Sequence, residues 1–483
     1  MTDPTTNVGV LRAALAQAAG RPVDTIPEDG HLERDLGIDS LALAELVTDL
    51  EQRLAVIIPD EETGRLQTVA DVREILARLL PSGMDTTVSI RSIDPKQRGF
   101  LIVNSHPDGA ARTVHRMWED IPARATGSDG PVVLLLGHSA GYGLATLLTG
   151  LRQHNIRGVG VAFEAEATER RTASAGWYRT AAAADLAREA DHDFLFVNTD
   201  AFSQTAKDKV LALVKERYGK VDYLIYSLAA PRRTDPDTGE VHHSVIKPLG
   251  APYDAPALDC SGDDPKVGRV HLEAGTDAER AATVQVMGGA DWKLWVDALA
   301  GQNLLADGFT TVALTYIGSE LTAPIYRQGT IGAAKEDLER TAHILEDVLG
   351  DGGRAFTAVA GAAVTQASSA IPSIALYTAF LRTVLGQGFR TTAEQAGDLW
   401  YQLTGAQPLA LDESGRIRLD GWELDNDVQD RVRALWTDPE AGLEQAARGA
   451  EWFMGQIRNL YGWDVDGIDY DQPANVTVPW PPQ

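Results

Sequence analysis

Pro131-Val132-Val133-Leu134-Leu135-Leu136 runs without a break into Gly137-His138-Ser139-Ala140-Gly141-Tyr142-Gly143, and from there into an apolar, helix-forming stretch over residues 144–151. An uninterrupted apolar run, rather than an alternating one, is the pattern of a strand covered on both faces of a parallel sheet. The G-x-x-x-G-x-G spacing between strand and helix lets the chain turn tightly and brings backbone close to a pyrophosphate. The N-terminus of the following helix then stabilises that anion. This stretch predicts an α/β fold with a dinucleotide site.

Working outward, three further strands are expected, at residues 158–163, 194–197 and 221–226, separated by amphipathic segments. Strands alternating with helices give a Rossmann-type doubly wound parallel sheet, with the strand ends converging on one crevice. Glu164, just after the second strand and Phe163, is placed to bond adenosine ribose hydroxyls and to repel a 2′-phosphate, which favours NADH over NADPH. Arg170 and Arg171 nearby keep NADPH open. Asp200-Ala201 would cover the adenine, and Leu228-Ala229 would line the nicotinamide.

Toward the N-terminus the character changes. Residues 1–82 hold 7 basic and 15 acidic side chains and no lysine, a net charge of −8. Apolar residues recur at helical spacing over 8–19, 41–54 and 69–80, which predicts a small helical bundle. Between the first two helices stands Asp35-Leu36-Gly37-Ile38-Asp39-Ser40-Leu41. A serine opening a helix is also a common N-cap. The whole string, however, with Ile58-Pro59-Asp60-Glu61-Glu62 and Thr68-Val69-Ala70-Asp71-Val72, resembles the acyl carrier protein family. The resemblance covers residues 5–80. It implies a four-helix bundle whose Ser40 receives a 4′-phosphopantetheine arm from a phosphopantetheinyl transferase. Glu45, Asp49 and Glu51 are then expected to form a negative docking face for basic partner enzymes, such as other fatty-acid or polyketide synthase enzymes.

Pro81-Ser82-Gly83-Met84-Asp85-Thr86-Thr87 reads as a short linker, giving a carrier domain at 1–82, a linker at 83–90 and a large domain at 91–483. In that large domain the Tyr-x-x-x-Lys pair of the short-chain dehydrogenase superfamily is missing. In its place stand Tyr326 and Lys335, with eight residues between them. With Gly176-Trp177-Tyr178, Val286-Met287-Gly288-Gly289, Tyr316-Ile317-Gly318, Pro324-Ile325-Tyr326 and residues 364–372, this pair resembles the trans-2-enoyl-acyl-carrier/enoyl-CoA reductase family of the FabV type, from about residue 91 to 478. That family usually has Ala-Ser where His138-Ser139 stand, and normally lacks a fused carrier.

The resemblance implies reduction of a trans-2-enoyl thioester by a nicotinamide cofactor. Tyr326 would be the proton donor and Tyr316 would contact the acyl carbonyl. Lys335 would hold the nicotinamide ribose and lower the pKa of the nearby phenol. Gly137, His138, Ser139, Ala140, Gly141, Tyr142, Phe163, Glu164, Asp200, Ala201, Leu228, Ala229, Lys335, Val364, Thr365 and Gln366 would contact the dinucleotide. His138 is open between a plain backbone substitution and an imidazole that touches the pyrophosphate. Two other functions stay open on sequence: an idle second domain whose carrier serves other enzymes, and reduction of a ketone instead of an alkene.

Composition bounds the rest. Across 483 residues, 44% apolar and 23% charged, 43 basic against 69 acidic side chains leave a net charge of −26. Such a chain is repelled by nucleic acid and by anionic membrane surfaces. The opening MTDPTTNVGV lacks a basic n-region and an apolar core, and a cytoplasmic location is expected. Cys260, the single cysteine, is expected to be inert, and Glu240, His242 and His243 lack metal-ligand spacing and read as loop residues. Trp292 and residues 372–385 are expected to wall an acyl cavity or the core. Residues 476–483, rich in proline, read as an exposed tail.

Overall fold

The computed structural model describes residues 7–27, 29–54, 58–63, 66–79, 90–98, 100–123, 130–168, 171–259, 266–366, 371–438 and 443–482. Arg170, Cys260, most of the expected linker and residues 367–370 fall outside them. The chain forms two compact units: Met1–Arg91 with Glu166–Ala173 and Asn475–Thr477, and Ser92–Ala165 with Ser174–Ala474 and Val478–Gln483.

The first unit contains α1 (Asn7–Ala19), α2 (Ser40–Leu54), the short α3 (Asp60–Thr63) and α4 (Val69–Leu79). Its core draws Leu11 and Leu15 from α1, Leu46 and Leu50 from α2, and Val72, Ile75 and Leu76 from α4. Each such leucine withdrawn from water contributes roughly 1.5–3 kcal/mol. The loop before α2 is anchored by Leu36 and Ile38, both 2% exposed, while Gly37 between them adopts φ +71°, a conformation that favours glycine. Glu51 departs from the expected docking face. It is buried, its Oε1 accepts from Ile58 N at 2.8 Å, and its Oε2 lies 3.4 Å from Arg171 Nη2. A carboxylate so engaged is structural. Glu45 and Asp49 are half-buried.

The second unit is built on seven strands: β1 (Val132–Leu136), β2 (Arg157–Ala162), β3 (Phe194–Asn198), β4 (Val221–Tyr226), β5 (Leu305–Thr315), β6 (Gly353–Val359) and β7 (Ile417–Arg418). Their order is β7-β6-β5-β4-β1-β2-β3 and every neighbouring pair is parallel. Helices follow as α5 (Pro107–Asp120), α6 (Gly141–His154), α7 (Ala175–Glu189), α8 (Gln204–Arg217), α9 (Asp277–Met287), α10 (Ala290–Gly301), α11 (Thr330–Leu349), α12 (Pro372–Leu385), α13 (Thr392–Leu403), α14 (Asn426–Thr437) and α15 (Leu443–Leu460). Val132, Leu134 and Leu136 face a core shared with α8, α10 and α11, whereas Val133 and Leu135 face one shared with α6, α7 and α13. Both sides of β1 are therefore dry, which is why its sequence shows no alternation.

Four strands are expected, and among the described residues the parallel sheet has seven. Trp292 is wholly buried in the sheet core and its indole N–H donates to Thr311 Oγ1 at 2.7 Å, so of its two readings the core one holds. The C-terminal segment is not a free tail: Trp480 donates to the Phe196 carbonyl at 2.9 Å and packs edge-on against Trp177 at 4.9 Å. His242 and His243 lie in a short strand (Val241–His243) paired antiparallel with Arg232–Thr234, not in a loop. Among the described residues no helix is long and apolar enough to cross a membrane.

Candidate active site

The expected site residues of the second unit gather at the C-terminal ends of the parallel strands, where the order reverses between β1 and β4. Gly137 leaves β1 at φ +88°, and a Cβ there would lie 2.3 Å from the Ser227 carbonyl oxygen at the end of β4. A Cβ on Gly143 would lie 1.9 Å from the Gly137 oxygen. Neither position admits a side chain, so glycine is what lets the loop close against the first turn of α6. Ala140 precedes that helix in an extended conformation and offers no side-chain cap, which leaves the first-turn N–H groups without a side-chain acceptor. This cradle fits a pyrophosphate.

The loop is held from several sides. Tyr142 donates to the Gly361 carbonyl at 2.5 Å, so its side chain ties the loop to the segment after β6. Thr365 Cγ2 would lie 3.3 Å from a Cβ on Gly141, which places Thr365, with Val364 and the exposed Gln366, beside the loop. Arg179 of α7, absent from the sequence reading, is buried and donates through Nε to the Ser139 carbonyl at 2.9 Å and through Nη1 to the Leu460 carbonyl at 2.6 Å. Among the described residues its buried Nη2 has no hydrogen-bond partner, a spare cationic donor beside the glycine loop that also fits a phosphate.

Glu164 accepts from Ser139 Oγ and Ser174 Oγ, each at 2.5 Å. A Cβ on Gly176 would lie 2.0 Å from Glu164 Oε1, so the Gly176 of the family string makes room for this carboxylate. Each carboxylate oxygen keeps a further lone pair for a ribose hydroxyl. Phe163 beside it is 73% exposed. After β3, Asp200 Oδ1 accepts from Phe202 N at 3.0 Å, while Ala201 is buried and its carbonyl accepts from Lys207 and Trp295. Leu228 and Ala229 follow β4, the first half-buried and the second exposed.

His138 settles one open choice. Its ring is fully buried, edge-on to Phe196 at 5.3 Å and 3.4 Å from Thr180 Oγ1, and it occupies the space that a side chain on Gly160 would fill. Burial pulls its pKa down to about 4. The imidazole is a neutral packing group under the sheet, so only the backbone of His138 belongs to the phosphate loop.

The second half of the edge carries two phenols. Tyr316 follows β5 directly, and Tyr326 stands in the turn leading to α11. Their rings meet edge-to-face at 5.1 Å. Tyr326 also packs against Ala255, Ile325, Ile331, Ile371 and Ile374, an apolar cluster that includes the entry to α12. A Cβ on Gly332 would lie 2.1 Å from the Arg327 oxygen and 2.4 Å from that of Tyr326. The eight-residue spacer therefore needs this glycine to fold the Tyr326 turn onto the first turns of α11. Arg327 pins the turn through a two-pronged pair with Glu339 at 2.8 and 3.0 Å.

Lys335 is half-buried in α11. Desolvation draws its ammonium down to about 8, against the opposing pull of Glu339. The expected lowering of the phenol is not found. Burial, helped by the negative charge of Glu423, pushes the Tyr326 pKa up, and the same two causes push Tyr316 up. Both phenols therefore stay protonated. Glu423, just after β7 and wholly buried, escaped the sequence reading. It accepts from Tyr316 and from Tyr377 of α12, each at 2.8 Å, and burial raises its pKa to about 7.

Comparison with known proteins matches this architecture. Residues 92–169 match the NAD(P)H binding domain of trans-2-enoyl-CoA reductase, and 171–403 match the trans-2-enoyl-CoA reductase catalytic region. Residues 411–474 match an enoyl reductase FAD binding domain, and 9–78 match a phosphopantetheine attachment site. An enoyl-[acyl-carrier-protein] reductase [NADH] of Streptomyces avermitilis is 50% identical over 390 residues, 80% of this chain and 99% of the relative. A trans-2-enoyl-CoA reductase [NADH] of Clostridium perfringens is 39% identical over 389 residues, again 80% and 99%. The crystal structure of Treponema denticola trans-2-enoyl-CoA reductase in complex with NAD superposes with a TM-score of 0.73 at 37% identity, covering 79% of this chain and 97% of that one. The chain thus belongs to the trans-2-enoyl-CoA/acyl-carrier-protein reductase family, oxidoreductases of enoyl thioesters, and carries a phosphopantetheine carrier domain ahead of its reductase region.

Proposed function

We propose that this protein reduces the carbon–carbon double bond of a trans-2-enoyl thioester with NADH, and that its carrier domain, residues 1–82, tethers the acyl chain through a 4′-phosphopantetheine arm on Ser40. Residues 83–90 are then the linker and 91–483 the reductase. The observation that carries the reading is the Tyr316–Tyr326 pair, two protonated phenols at the strand edge that also bears the glycine loop.

When bound, the dinucleotide supplies a hydride to Cβ of the enoyl group. The chain's own groups do the rest. The N-terminus of α6 and Arg179 bind the pyrophosphate, Glu164 takes the adenosine ribose hydroxyls, and Lys335 holds the nicotinamide ribose. Glu164 favours NADH, since its charge repels a 2′-phosphate, and Arg171 is already committed to Glu51 and to the Thr48 carbonyl. As negative charge builds on the thioester oxygen, Tyr326 donates a hydrogen bond to it and then supplies the proton. A donor aimed where charge appears only in the transition state lowers the barrier directly. The apolar cluster around Tyr326 receives the first carbons of the acyl chain.

Loss of NADH absorbance on adding a trans-2-enoyl-CoA or an enoyl group loaded on Ser40 tests the reading. Tyr326→Phe is expected to lower kcat by about 10²–10³ with NADH binding retained. No turnover by the native chain, with dinucleotide binding intact, would leave only a carrier function. A 3-hydroxyacyl product would mark a ketone reductase.

A further inference from the structure

Glu423 is a buried carboxyl that the reaction as described does not use. Four elements converge on it. Tyr316, after β5, and Tyr377, on α12, both donate to its Oε1 at 2.8 Å, and Ala362 N, after β6, donates to Oε2 at 2.5 Å. Gln429 of α14 donates to the Glu423 carbonyl at 2.7 Å and to the Tyr377 hydroxyl at 3.0 Å. Asp420, three residues earlier, faces it with like charge and is held by Arg418 at 2.8 and 2.7 Å. Tyr142 and Tyr326 feel its charge as well.

A phenol has one proton. While Glu423 is ionised, the proton of Tyr316 is spent on Oε1 and the phenol can only accept from a ligand. Once Glu423 is protonated, one of its two phenol bonds must reverse. The backbone N–H at Oε2 can only donate, and the two lone pairs of the Tyr377 oxygen are taken by Gln429 and the Ser319 hydroxyl. The bond free to reverse is the one to Tyr316. Its phenol then accepts from the carboxyl and turns its own proton outward, and the pair holds one proton more than before, the one taken up by Glu423.

Resting on the enoyl-reductase reading, we propose that Glu423 is a positioning residue that decides, through the direction of its hydrogen bond with Tyr316, whether that phenol can donate to the acyl oxygen of the substrate. The protonated carboxyl is the active form. Burial and Asp420 place its titration at about pH 7, so the second donor to the enolate oxygen is withdrawn as the pH rises.

The test is the pH profile of kcat with a saturating enoyl-CoA. In the native chain kcat is expected to fall about tenfold between pH 6 and pH 8, the change in protonated fraction across a pKa of 7. Glu423→Gln replaces the acid by an amide that accepts from Ala362 and donates to Tyr316 at every pH, while the Tyr377 hydroxyl loses its acceptor, so its profile is expected to be flat. Tyr316→Phe should be slow and flat. A native-like fall in either variant, or a Glu423→Gln enzyme more than tenfold slower at pH 6 with unchanged NADH binding and melting temperature, would overturn the proposal. Infrared titration of the carboxyl band judges Glu423 independently of turnover. A band titrating near pH 7 that disappears in Glu423→Gln and shifts in Tyr316→Phe supports the coupling, and its absence from the native chain refutes it. If the native chain fails to turn over at any pH, the enzyme reading falls and this arm still decides whether the two groups share a proton.

Discussion

Two helix N-termini in this chain are each expected to meet a phosphate, and they are built in opposite ways. At α2 the first turn is closed by Asp39, whose Oδ1 accepts from Ala42 N at 2.9 Å. The cap is therefore supplied by the residue before Ser40. At α6 the corresponding place is held by Ala140, whose side chain has no oxygen to offer and makes no cap. On the proposed function, the difference follows from how each phosphate would be retained. A prosthetic group joined covalently to Ser40 needs no amides to hold it, so α2 can use a carboxylate cap worth about 1 kcal/mol. A dissociable pyrophosphate must be bound by the amides themselves, and a carboxylate there would compete with it.

That contrast can be broken at three points. Ser40→Ala should abolish modification completely: intact-mass spectrometry after incubation with coenzyme A and a phosphopantetheinyl transferase should show the unmodified mass alone. Any residual addition would mean that the attachment lies elsewhere. Next in size, Ala140→Asp gives α6 the acidic cap that α2 already has. NADH affinity, followed by fluorescence titration, should weaken about 10–100-fold, which is roughly 1.4–2.7 kcal/mol. An unchanged Kd would mean that the α6 amides do not hold the pyrophosphate. The smallest effect belongs to Asp39→Ala, which should lower the stability of the carrier unit by about 1 kcal/mol in urea unfolding and leave NADH affinity where it was. A loss of NADH binding there would show that the cap at α2 does more than close its own helix.

The parts of the site legible in the sequence are those made by neighbouring residues. The glycine loop is formed by β1, a turn and α6, all within residues 132–154, so its glycine spacing is visible in the sequence, whereas the supports from Ser227, Gly361 and Arg179 are not. The same holds for the Gly37 turn flanked by Leu36 and Ile38. The pairing of Tyr326 with Lys335 was readable only through the family resemblance, because a tyrosine beside Pro-Ile is by itself an ordinary core residue. Strands β5 to β7 were missed for a visible reason. β5 carries Asp307-Gly308 near its start and three threonines, β6 opens on Gly353-Arg354 and includes Thr357, and β7 is two residues long, so none shows the continuous apolar run that marks β1.

The sequence by itself determined that a carrier-like bundle precedes a doubly wound sheet, and that a glycine-rich turn joins the first strand of that sheet to its helix, because each rests on local spacing or an unbroken motif. Tertiary structure alone decided the rest. It turned His138 away from the phosphate loop into a dry layer beside Gly160, since the sheet offered a cavity there. It withdrew Glu51 from the surface, and it made Tyr316, Ala362, Tyr377 and Glu423 one hydrogen-bonded cluster. Those four residues share no spacing in the chain. They meet because β5, β6 and β7 end side by side and α12 packs over them, and the proton-binding behaviour of a carboxyl depends on what surrounds it in space.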